Sequence, residues 1–101
     1  NSLFWKKNLT EFQHNYSAIS SETAKYLIKN KIHLVGIDYL SIGSTGKDSH
    51  LTHKLLLKNN IVIVEGLNLS EVKEGIYNII CAPLKLKALD GAPARVFLIE
   101  P

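Results

Sequence analysis

Two short apolar runs with a helical stretch between them constrain this chain most. HLVGID occupies 33–38 and IVIVE occupies 61–65. Residues 49–59 carry helical text, with Asp48 or Ser49 as the capping residue. IVIVE is β-branched and continuously apolar, as expected of a strand covered on both faces. Strand, helix, strand in that order predicts a right-handed crossover with parallel strands.

The flanking text fills in the rest. NSLFW at 1–5 reads as the end of a strand, and 6–19 as a loop without a clean period. SSETAKYLIKN predicts a helix capped by Ser20 or Ser21, with Ala24, Leu27 and Ile28 on one stripe and Asn30 as the stop. LSIGSTGKDS is a loop broken by Gly43 and Gly46. After a turn at SEVKEG, YNIICAPLKL predicts a long strand in which Pro83 marks a bulge, an edge or a bend. ALDGAPA is a turn, and RVFLIE at 95–100 is a last strand, paired with the preceding one as a hairpin. The expected fold class is α/β, a mixed sheet with a βαβ crossover. Residues 1–101 form a single domain or part of one.

Charge and cysteine usage narrow the function classes. The 12 basic and 9 acidic residues are scattered, giving a net charge of +3, so nothing points to nucleic acid. No apolar run reaches the length of a membrane span. The single Cys81 sits in an apolar strand, where a thiol is an inert core residue, as in a reducing cytosol; the expected location is cytoplasmic. Asn8-Leu9-Thr10, Asn15-Tyr16-Ser17 and Asn68-Leu69-Ser70 match the glycosylation pattern, which matters only in a secreted protein. With no Met in the sequence, the chain reads as the later part of a longer one.

Three residues carry candidate chemistry. His50 and His53 lie three apart on one helix face, with Leu57 beside them, and look half-buried. Glu65 ends the following strand, and its alternation with Ile61 and Ile63 points it the same way as those side chains. A carboxylate at the end of a parallel strand lies where α/β folds place ligands. One imidazole and one carboxylate make half of a zinc shell, and such residues are more often simply solvated. Phe4 and Trp5 could line a substrate pocket, but aromatics near a strand end are more often core, and they read as core. Asp38 reads as a cap or turn contact. Lys47 in GSTGKDS fails the phosphate-loop pattern on spacing and on the residue that follows it.

The run from KYLIKNKIHLVGIDYLSIGS through DGAPARVFLIE resembles the cyclase-type metal-dependent hydrolases, the family that includes bacterial kynurenine formamidase. The matching features are VGIDYLSI, the His-then-Glu pair of HKLLLKNNIVIVE, the GLNLSEV turn, the IYNIICAPLKL strand and the DGAPARVFLIE ending. NSLFW is also similar to the family's Asn-Ser-x-x-Trp stretch. The resemblance implies the carboxyl-terminal half of such a hydrolase, in a β/β/α fold. It makes His53 and Glu65 ligands of a divalent metal, zinc first and manganese second, and gives His50 no such role. It implies hydrolysis of an amide or formamide C–N bond by metal-activated water. The family's His-x-Gly-Thr-His-x-Asp-x-Pro-x-His run is absent here, so no catalytic residue is assigned and the chain alone should be inactive. The missing half, a second chain or a homo-oligomer is the expected partner. A non-catalytic relative serving as an interaction domain is the alternative.

Overall fold

The computed structural model describes residues 1–7, 10–87 and 89–101. The glycosylation pattern at Asn8 begins outside the described residues, and one position of the ALDGAPA turn also lies outside them. The chain divides into two compact units, Asn1–Glu71 and Val72–Pro101.

The first unit contains the crossover. Strand β1 (Leu34–Gly36) pairs in parallel with β2 (Val62–Val64), Leu34 opposite Val62 and Gly36 opposite Val64. Helix α1 (Ser21–Lys29) precedes β1, and α2 (Lys47–Lys58) connects the two strands. Ser20 caps α1 by accepting the Thr23 N–H at 3.1 Å, and Glu22 complements the helix dipole in the first turn. Both helices stop in the same way. Lys31 and Asn60 take left-handed φ values of 56° and 55°. The next residues turn back into the helix, Ile32 N–H to Leu27 O at 3.1 Å and Ile61 N–H to Leu56 O at 3.0 Å. These are Schellman closures that satisfy carbonyls the helix leaves free.

The core lies between the helices and this strand pair. Ala24, Ile37, Ile42, Leu56 and Ile61 are buried, with Ile19, Leu27, Ile28, Val35, Leu55 and Ile63 packed around them. The α1 stripe is therefore the expected one. The face of α2 is not. Thr52 and Leu56 are fully buried, whereas Leu57 is 60% exposed and His50 is exposed. Helix α2 also begins two residues earlier than expected, with Gly46 rather than Asp48 or Ser49 at its cap. Asp48 then falls inside the first turn and accepts the Ser21 N–H of α1 at 3.2 Å, tying the two helices together. Strand β2 is not covered along its whole length on both faces: Val62 is 52% exposed, whereas Val64 on the same face is buried.

NSLFW is a 3-10 turn, Ser2–Lys6, and not a strand end. Its polar partners decide this. The Asn1 side chain exchanges hydrogen bonds with the Ser17 backbone, and the Trp5 indole N–H donates to Leu67 O at 2.8 Å. Phe4, Trp5, Phe12 and Tyr16 surround the fully buried Tyr39 ring at centroid distances of 4.6–6.3 Å. Such offset and tilted contacts add to plain area burial.

The second unit is an antiparallel hairpin of β3 (Asn78–Pro83) and β4 (Ala94–Ile99), with Asn78 opposite Ile99 and Pro83 opposite Ala94. Pro83 ends its strand, as a residue without an N–H must where the ladder stops. Cys81, opposite Val96, is half-buried and not a core thiol. The parallel and antiparallel pairs are two separate two-stranded sheets among the described residues.

Candidate metal centre

The carboxyl ends of β1 and β2 carry one acid each. Asp38 follows β1 and Glu65 follows β2, where crossover folds expose ligand-binding groups. Glu65 is fixed from two directions. The loop after β1 is anchored by Ile42, whose side chain is fully buried and whose carbonyl accepts the Ile19 N–H at 2.8 Å. That anchoring presents the Ile42 N–H to Glu65 Oε1 at 2.7 Å. Gly66, at φ 75°, then turns the chain off the strand directly after Glu65.

His53 reaches the same oxygen from α2. Its Nε2 lies 3.3 Å from Glu65 Oε1, and its Nδ1 lies 2.8 Å from the carbonyl of Ser49 one turn earlier. A carbonyl only accepts, so Nδ1 carries the proton and donates to it. Nε2 then either holds a second proton or presents its lone pair to a carboxylate oxygen. Two lone pairs facing each other at this distance suit a cation between them, and a backbone carbonyl on the far ring nitrogen is the usual way a metal-binding imidazole is oriented. Both side chains are about one-third exposed, which leaves room for further ligands.

The structure therefore brings His53 and Glu65 together and leaves His50 out. His50 sits on the solvent side of α2. Among the described residues no group of three or more His, Cys, Asp or Glu side chains converges. The pair fits part of a metal shell and does not fill one, since a catalytic zinc takes three protein ligands.

Asp38 makes the second polar cluster. Its Oδ2 accepts from both the backbone N–H and the hydroxyl of Ser2, each at 2.6 Å. Partial burial pushes the carboxyl up, and the Ser2 hydroxyl and backbone N–H pull it below its ordinary value. Ser2 was not among the candidate site residues on composition or spacing, and Trp5, as a candidate pocket-lining aromatic, reads as core. The only signal for Ser2 was membership in the Asn-Ser-x-x-Trp stretch.

No family model matches the chain. Individual proteins do. Cyclase-like protein 3 of Oryza sativa subsp. japonica is 43% identical over 100 residues, a match covering 97% of this chain and 36% of the rice protein. Cyclase-like protein 1 of Arabidopsis thaliana is 39% identical over 100 residues, covering 97% and 38%. Kynurenine formamidase of Polaromonas naphthalenivorans (strain CJ2) is 35% identical over 86 residues, covering 85% and 39%. Among solved structures, a potential metal-dependent hydrolase with cyclase activity superposes with a TM-score of 0.80 at 42% identity, covering 89% of this chain and 45% of that one. A predicted metal-dependent hydrolase from Bacillus stearothermophilus gives 0.78 at 42% identity, covering 86% and 42%. The chain spans less than half the length of each of these relatives.

Proposed function

Because this chain is a homologue of the cyclase-like proteins and metal-dependent hydrolases over nearly its whole length, we propose that the intact protein is a metal-dependent amidohydrolase. Its reaction is hydrolysis of an amide or formamide C–N bond, and its metal is zinc, with manganese as the second choice. The naming of one relative as a kynurenine formamidase supports an aryl formamide or a small cyclic amide as substrate.

The observation that carries the reading is the placement of His53 Nε2 against Glu65 Oε1 while Nδ1 is committed to Ser49 O. In this reading His53 and Glu65 are metal ligands. Ser49 fixes which ring nitrogen binds, and the Ile42 N–H holds one carboxylate oxygen so that the pair is oriented before the metal arrives. When bound, a divalent metal polarises the scissile carbonyl and makes water a nucleophile at neutral pH. The remaining ligands and the base that moves protons come from the part of the protein this chain does not span, or from a second copy of it. The protein is cytoplasmic and homo-oligomeric in this reading. Among the described residues, no helix is long and apolar enough to cross a membrane.

The test is Zn²⁺ titration of the intact protein beside His53→Ala and Glu65→Gln. Each substitution should weaken Zn²⁺ binding by more than about 100-fold, beyond the range typical of changes outside the coordinating set, and abolish formamide hydrolysis. His50→Ala should change neither. Unaltered Zn²⁺ affinity in both variants would exclude the site and favour a non-catalytic relative.

A further inference from the structure

The segment that leaves the metal pair, residues 65–69, is held by polar contacts from two other stretches. The Gly66 N–H donates to Tyr39 O at 2.8 Å and the Leu67 N–H to Ile37 O at 3.1 Å. From the other side, the Trp5 indole N–H donates to Leu67 O at 2.8 Å, and Ser2 Oγ accepts the Leu69 N–H at 3.1 Å. The same Ser2 hydroxyl donates to Asp38 Oδ2 at 2.6 Å. Asp38 lies between Ile37 and Tyr39, so one short loop fixes both the segment and the turn that grips it. Phe4 and Trp5 pack on the buried Tyr39 ring, which keeps the turn from swinging away.

We propose that the Asn1–Trp5 turn is a clasp whose Ser2 hydroxyl and Trp5 indole are positioning groups for Glu65, with Asp38 as the anchor that orients Ser2. This rests on the metal reading of Glu65. Glu65 is two residues from the Leu67 carbonyl, and Gly66 between them has no side chain to brace the turn. A bond to Leu67 O and another to Leu69 N–H supply the stiffness that the glycine lacks. Positions of ligands need definition to within a fraction of an ångström, and groups behind them commonly set metal affinity by about 10–100-fold. The clasp reaches Glu65 only through backbone, so it makes no contact with metal or substrate.

The experiment uses Ser2→Ala and Trp5→Phe in the intact protein; the first removes the two hydrogen bonds of the Ser2 hydroxyl, to Leu69 and Asp38, and the second removes the one from the indole to Leu67. Phe12→Leu is the control. Phe12 packs on the same Tyr39 ring but makes no contact with residues 65–69 through hydrogen bonds among the described residues. Zn²⁺ affinity is read by competition with a chelator, and thermal unfolding is read without metal. Ser2→Ala and Trp5→Phe should each lower Zn²⁺ affinity about tenfold, while Phe12→Leu lowers the melting temperature and leaves affinity as in the wild type. The clasp is overturned if the two variants bind Zn²⁺ as the wild type does, or if Phe12→Leu weakens binding equally. Failure of the wild type to bind Zn²⁺ overturns the metal reading itself, and the clasp with it, and is told apart by needing no variant.

Discussion

At the scale of single residues, the chain's two acids at the strand ends have different work. Glu65 faces an imidazole and is accessible; Asp38 faces hydrogen-bond donors and is enclosed. Burial tends to raise the Asp38 carboxyl, yet its donors leave it below the ordinary value of 3.8. A lowered folded-state value means the contribution to stability is complete above that ordinary value and is lost as pH falls through the lower one. Melting temperature followed into acid should therefore fall more steeply for the wild type than for Asp38→Asn, whose acid limb should be flattened. Asp48 shifts in the same direction, through hydrogen bonds from Ser21, but in contact with solvent its share is small. Composition and spacing placed Glu65 at a strand end and His53 on a facing helix, because both are local facts of periodicity. The Ile42 contact was not legible, because it depends on where a loop 23 residues away comes to rest; the ring-nitrogen assignment was not, because it depends on the His53 rotamer that brings Nδ1 to the Ser49 carbonyl one turn back.

At the scale of elements, the caps of α1 and the crossover were legible because short-range chemistry sets them, whereas the expected cap of α2, Asp48 or Ser49, gave way to Gly46. Ser20, Asn30 and the β-branched run at 61–65 all act where the sequence places them. The 3-10 turn was not, because its hydrogen-bond partners Asp38 and Leu69 stand 36 and 67 residues away. The face of α2 was misjudged because Leu57 suggested an apolar seam, whereas Thr52 buries a hydroxyl satisfied by the Asp48 carbonyl at 2.9 Å. The twin helix stops give a prediction at this scale. Lys31 adopts a left-handed conformation that a Cβ disfavours by roughly 1 kcal/mol. Lys31→Gly should raise stability in denaturant unfolding, by up to about 1 kcal/mol. Asn60→Gly should gain less, since Asn tolerates that region.

At the scale of the whole molecule, the two units differ in how much apolar surface they hide. The first has a closed core. The hairpin leaves Ile79, Ile80, Phe97, Leu98 and Ile99 between 36% and 52% exposed. Exposed apolar strands template further pairing. The 101-residue chain studied by itself should self-associate, seen as concentration-dependent light scattering. Phe97→Asp should reduce the scattering while leaving unfolding of residues 1–71 in place. The α/β character and the hairpin were legible from short apolar runs bounded by turn residues. That the hairpin would form a separate unit was not, because which surface a strand pair covers is not written in its own sequence.

Trp5 is the only tryptophan of the chain, and its indole is bonded to Leu67 with its ring beside Tyr39. Light absorbed by Tyr39 or by its stacked neighbour Tyr16 has one nearby indole to which it can pass. Emission from that indole is thus an optical gauge of residues 1–71: the energy transfer lasts only while the turn stays seated, and the gauge needs no added dye.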